Sequence, residues 1–140
     1  MAHRVLFICT KNAIRSPMAE ALAKALHADG EIGPIQAASA GIDPGEIGGF
    51  AIAAMAEVGQ DLLHHEAKAL DEFDASNFDL AVTLSREAAQ EAAQIFKPDQ
   101  LEDWDVGDPS LATGNRDQQL EAYRTVREAL AQKIRQRFAL

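Results

Sequence analysis

Short unbroken apolar runs alternate along this chain with longer stretches in which apolar residues return every three or four positions. "RVLFI" (residues 4–8) is of the first kind and reads as a strand buried on both faces. After it, Met18, Leu22, Ala25 and Leu26 share one helical face. Ser16 suits the N-cap of that helix, Pro17 its first position and Gly30 its stop. "PIQAAS" (34–39) reads as a second strand, broken by Gly41 and Pro44, and "GGFAIAAMAEVG" (48–59) as a second helix. "FDLAVTLS" (78–85) is a third strand. Ser85 then caps an alanine-rich helix that stops before Pro98, and "QLEDW" (100–104) makes a short fourth strand. "DVGDPSLATG" (105–114) is a loop. From Asp117 onward, Leu120, Tyr123, Val126, Leu130, Ile134 and Phe138 mark a long terminal helix.

Strands alternating with helices predict an α/β fold: a three-layer α/β/α arrangement around a central four-stranded parallel sheet. One domain over residues 1–140 is expected. In such sheets a ligand sits beyond the carboxyl ends of the strands. Cys9 lies at one such end, and the loops after Leu84 and Trp104 are expected close by.

Composition narrows the function. The net charge of −9, from 22 acidic and 13 basic residues, argues against a nucleic-acid surface, which carries a basic stripe. It leaves room for an anionic ligand, because local donors decide that and Lys11 and Arg15 both sit in the first loop. No apolar run approaches the roughly 18 residues of a membrane helix, and the opening run is too short for a secretory signal. With one cysteine an internal disulfide is impossible, so a reducing cytoplasm is the expected location. Alanine-rich helical faces fit either a monomer or a homodimer.

The loop from Cys9 to Arg15 leaves a strand and enters a helix. Its amides and the helix N-terminus together suit an anion, and Arg15 suits two oxygens of a tetrahedral oxyanion at once. The same dipoles favour a thiolate at Cys9, and Ser16 can donate its hydroxyl to that sulfur. Taken alone, Cys9 also reads as a small buried hydrophobe at a strand end. The ordered string of cysteine, five residues, arginine and serine between a strand and a helix favours nucleophilic attack on an oxyanion centre.

"VLFICTKNAIRSPMAEAL" resembles the opening of the low-molecular-weight protein-tyrosine phosphatase family, which includes arsenate reductases of the same fold. The family pattern C-x-x-N-x-x-R-S-x-M-A-E is matched at Cys9, Asn12, Arg15, Ser16, Met18, Ala19 and Glu20. "SAG" (39–41), "DLLHHEAKAL" (61–70), "FDLAVTLS" and "DVGDP" follow in the family's order. The resemblance implies a flavodoxin-like, low-molecular-weight phosphatase topology. It implies that Cys9 is the nucleophile, forming a phosphocysteine, that Arg15 binds the phosphoryl oxygens and that Asp108 is the general acid and then the base. Thr10, Lys11, Asn12, Ala13, Ile14 and Ser16 would complete the phosphate loop. Asn12 would hold its shape by bonding Ser39, and His65 would stand behind it. Neither an organic cofactor nor a metal is implied; the His64–His65 pair lacks acidic or cysteine partners at ligand spacing, and His3 and His27 read as surface residues.

Three departures bear on the substrate. Lys11 stands where the family often has glycine, Ile14 where many members carry a second cysteine, and "DPSLATG" lacks the two tyrosines that often follow D-P. Trp104 is an aromatic wall of the cleft or a core residue. The leading expectation is a phosphomonoesterase acting on a phosphorylated protein, in the first place phosphotyrosine. The alternatives are a single-cysteine arsenate reductase that borrows an external thiol, acting on small oxyanions such as arsenate or phosphate, and a catalytically weak oxyanion- or phosphoprotein-binding module. No nucleic acid or membrane partner is expected.

Overall fold

The computed structural model describes residues 3–140. Four parallel strands, β1 (His3–Cys9), β2 (Ile35–Gly41), β3 (Leu80–Thr83) and β4 (Leu101–Asp103), form one sheet in the order β2-β1-β3-β4. The helices between and after them are α1 (Arg15–Ala28), α2 (Gly49–Ala56), α3 (Arg86–Ala92) and α4 (Arg116–Arg137).

The two-residue period of β1 divides the core. Val5, Phe7 and Cys9 join the cluster that contains Met18, Leu22, Met55, Val126, Leu130 and Ile134, beneath α1, α2 and α4. Leu6 and Ile8 face the other way, into a smaller cluster with Ala81, Ala88, Ala92 and Phe96 beneath α3. Both faces of the sheet are thus covered, which is why its central strand is an unbroken apolar run. Among the described residues, no helix is long and apolar enough to cross a membrane.

Most boundaries fall where the pattern puts them. α1 ends on Asp29 and Gly30, whose φ of +75° lets the Gly30 amide reach the His27 carbonyl and the Glu31 amide reach that of Leu26. Ser85 caps α3 by accepting from the Ala88 amide. β2 runs through Gly41 rather than breaking there. The start of α1 differs more. It begins at Arg15 with Ile14 in the cap position, so Ser16 is inside the first turn and makes no cap bond. Ser16 is fully buried, and its hydroxyl is used elsewhere.

The strand order sets the site. The chain passes from β1 to β2 on one side, then crosses to β3 on the other, so a crevice opens at the carboxyl end of β1. Cys9 ends β1, Leu84 follows β3 and Trp104 follows β4; the Leu84 amide donates to the Ile8 carbonyl and the Trp104 amide to that of Thr83.

Candidate active site

The loop from Cys9 to Arg15 is shaped by where its carbonyls go. Those of Cys9, Thr10, Lys11 and Ala13 accept from the amides of Ile42, Asp43, Gly45 and Gly48. The Asn12 carbonyl accepts from His65 Nε2 at 3.1 Å. In a trans peptide the next amide points opposite to the carbonyl, so the amides of residues 11–14 are turned away from these partners. None of the amides of residues 11–15 donates to an acceptor among the described residues. A row of free N–H groups ending at a helix N-terminus is an anion cradle.

Asn12 carries the bend. Its φ of +51° lies in the left-handed region, which asparagine tolerates better than most residues. Its buried amide is engaged at both ends: Nδ2 donates to Ser16 Oγ at 2.8 Å, while Oδ1 accepts from the Lys68 amide at 2.9 Å and His65 Nε2 at 3.1 Å. Since both Asn12 oxygens are acceptors, His65 Nε2 bears the proton. Burial holds the His65 pKa below the ordinary histidine value, against the pull of its bond to the Asn12 backbone. The expected Asn12–Ser39 bond is replaced: Ser39 Oγ donates to Glu20 Oε1 at 2.6 Å. His64 is exposed and does not share His65's position.

Behind the loop, Gly41 leaves no room. A Cβ there would lie 2.6 Å from the Asn12 amide nitrogen and 2.7 Å from the Lys11 carbonyl carbon. Both are backbone atoms, so neither can swing aside. Gly41→Ala is expected to destabilise the protein by about 1–3 kcal/mol and to weaken binding of inorganic phosphate, because relief means pushing the cradle out of shape. Thermal melts and calorimetric titration with phosphate check this; an unchanged melt with unchanged binding would show that the backbone yields freely.

Cys9 Sγ lies 2.9 Å from Ser16 Oγ and 3.5 Å from the Ser16 amide. The hydroxyl has one hydrogen. Asn12 already donates to its oxygen, so that hydrogen goes to the sulfur or to the Ala40 carbonyl, 3.3 Å away. An ionised sulfur wins that choice, since charge-assisted hydrogen bonds are the stronger kind.

Arg15 reaches across the crevice with its side chain 12% exposed. Nη1 donates to the Leu84 carbonyl at 2.8 Å and to that of Gly107 at 3.3 Å, leaving the Nε–Nη2 edge for a bound oxyanion. Asp108 Oδ2 is 3.9 Å from Nη2. Asp108 Oδ1 accepts from the Ser110 amide at 2.9 Å and Ser110 Oγ at 2.6 Å, which turns the residues after it into a short 3₁₀ turn.

These groups meet in a cleft of about 320 Å³ lined by Cys9, Thr10, Lys11, Ile14, Arg15, Glu87, Asp108 and Ser110. Ala13 is a buried member of the loop. Lys11 is exposed and paired with Asp43, so it stands at the rim as half of an ion pair. Trp104 is buried, edge-on to Phe7 at 6.0 Å between ring centres, and also borders a larger groove next to the cleft. Tyr123 of α4 was legible only as a core position; burial, helped by the Asp108 charge, raises its hydroxyl above the ordinary tyrosine value. Glu87 carried no signal beyond its place in the first turn of α3. Its Oε2 lies 3.2 Å from Thr10 Oγ1, which also lies 3.0 Å from Ser85 Oγ.

Residues 4–139 match the family model described as low molecular weight phosphotyrosine protein phosphatase. A glutaredoxin arsenate reductase of Synechocystis sp. is 31% identical over 94% of this chain and 92% of its own length. The low molecular weight protein tyrosine phosphatase from T. tengcongensis superposes with a TM-score of 0.79 at 30% identity, covering 95% of each chain. An arsenate reductase in the phosphate binding state superposes at 0.72 with 30% identity, covering 94% of this chain and 93% of the other.

Proposed function

This chain belongs to the low molecular weight phosphotyrosine protein phosphatase family, and from that premise we propose that it is a phosphomonoesterase that works through a phosphocysteine on Cys9. The observation that carries this reading is the cleft in which Cys9, the carbonyl-anchored Arg15 and Asp108 share one small volume above free loop amides.

The phosphoryl group seats on the loop amides and the free edge of Arg15. The Cys9 thiolate attacks phosphorus, and a sulfur–phosphorus bond forms as the bond to the ester oxygen breaks. Asp108, protonated, gives its proton to that oxygen, so the leaving group departs neutral. Water then attacks phosphorus while the Asp108 carboxylate takes its proton. The sulfur–phosphorus bond breaks, inorganic phosphate forms, and Cys9 returns as thiolate, accepting a hydrogen bond from the Ser16 hydroxyl. The expected client is a tyrosine-phosphorylated protein.

A second reading is favoured by the arsenate reductases among the relatives. Arsenate would condense with Cys9 in the same cradle with loss of water. Two external thiols would then supply the two electrons that turn arsenate into arsenite, leaving as a disulfide and regenerating Cys9. With one cysteine in the chain both thiols must come from outside.

Parallel assays decide between them. Hydrolysis of an aryl phosphate and a phosphotyrosine peptide at mildly acidic pH is expected, since attack needs a thiolate and a carboxylic acid together. Inactivity on both, beside an active control enzyme, would sink the phosphatase reading. Arsenite release that depends on glutathione, mycothiol or thioredoxin would establish the second.

A further inference from the structure

A groove of about 690 Å³ adjoins the cleft and shares Arg15, Glu87 and Asp108 with it. Its walls are the first turns of α3, with Ser85, Arg86, Glu87 and Gln90, and the segment that carries Asp103, Trp104, Asp105 and Asp108. The ester oxygen that leaves phosphorus must come within hydrogen-bond reach of Asp108. Asp108 and Glu87 stand on the boundary between the two spaces, so the groove is open to the group beyond that oxygen.

The charges there are lopsided. A bound phosphoryl group neutralises Arg15, and Asp108 is uncharged when it serves as the acid. What remains along the walls is Glu87, Asp103 and Asp105 against Arg86. Glu87 is fixed at the mouth by Thr10 of the anion loop, and its carboxyl is held below the ordinary glutamate value by its own backbone amide, by Thr10 and by the two arginines. Asp105 is held by the Gly107 amide and keeps its second oxygen free.

We propose that Glu87 and Asp105 make this groove a leaving-group subsite for positive charge, so that the preferred substrate is a phosphorylated peptide with a basic residue beside the phosphorylated one. The proposal rests on the phosphatase reading and adds the substrate's charge to it. It also fits the net charge of −9, which slows the approach of an anionic phosphopeptide unless its flanks are cationic.

The test is a ratio of kcat/KM for two tyrosine-phosphorylated peptides that differ only in arginine or glutamate on either side of the phosphotyrosine. A ratio cancels any effect common to the phosphoryl cradle. Wild type should favour the arginine peptide by about fivefold, the scale of one or two exposed charge pairs. The preference should shrink at ~1 M salt, where the screening length falls to roughly 3 Å. Glu87→Lys should reverse it. Asp105→Asn, which keeps the oxygen that accepts from Gly107, should reduce it in a protein of unchanged melting temperature. A ratio near one in wild type, or one that neither variant moves, overturns the inference. So does hydrolysis of p-nitrophenyl phosphate without hydrolysis of either peptide, which leaves the phosphatase reading standing. Inactivity on all three removes that reading, and this one with it.

Discussion

Replacing Cys9 by serine is expected to abolish turnover of aryl phosphates, by on the order of 10⁴-fold or more, the scale on which hydrolases fail when a covalent nucleophile is lost, while inorganic phosphate still binds. The separation follows from how the site is built. The cradle consists of amides freed because the loop carbonyls bond to Ile42, Asp43, Gly45, Gly48 and His65, and of an arginine anchored by Leu84 and Gly107. The side chain at position 9 takes no part in those bonds. A serine oxygen is a far weaker nucleophile unless a base takes its proton, and the groups that hydrogen-bond Cys9 Sγ are the hydroxyl and amide of Ser16, neither of which is a base. Single-turnover kinetics with calorimetric titration of phosphate separate the two effects. Residual turnover near the wild-type rate would exclude Cys9 as nucleophile, and loss of phosphate binding would show that the sulfur holds the loop in shape.

The layered fold was legible because each face of β1 meets its own helix layer, which makes "RVLFI" a continuous apolar run, and because Ser85 and Gly30 are strong local signals for helix ends. The N-terminus of α1 was misread for a physical reason. Serine followed by proline is a strong capping signal, yet here the serine serves the sulfur instead, and the helix starts two residues earlier without a side-chain cap. A local rule yielded at the candidate site, where such conflicts are expected.

The site divides along the same line. Cys9, Arg15 and Ser16 stood out because they are close in sequence. Gly41 could be seen as part of "SAG", but the need for glycine is a contact with the backbone of residues 11 and 12, and only the register of β1 with β2 creates it. Ser39 was paired with the wrong partner: it turns to Glu20, while His65 and the Lys68 amide take the oxygen of Asn12. Glu87 was invisible because its position beside Thr10 depends on the crossing from β1 to β3.

Three aspartates lie within six residues of each other, and Asp108→Asn is expected to single one of them out. Asp103 Oδ1 accepts from Thr83 Oγ1 at 3.1 Å, and Asp105 Oδ1 accepts from the Gly107 amide at 3.3 Å; both border the groove and neither borders the cleft around Cys9. Asp108 borders both. Its Oδ1 is taken by two donors from Ser110, so the transferable proton sits on Oδ2, which faces Arg15. Asparagine preserves the Oδ1 acceptor, so the turn and the melting temperature should survive. It cannot give a proton to the leaving oxygen, nor take one from water. Hydrolysis of phenyl phosphate or a phosphotyrosine peptide should therefore fall by about 10²–10⁴-fold, the range attributed to general acid catalysis. p-Nitrophenyl phosphate, whose phenolate leaves unaided, should lose less in the first step. Its phosphocysteine then waits on an unassisted water, so a burst of nitrophenol should precede a slow steady state. Asp103→Asn and Asp105→Asn should show neither the leaving-group dependence nor the burst. If one of them does and Asp108→Asn does not, the proton comes from that residue, and the acid would have to reach the cleft from the groove.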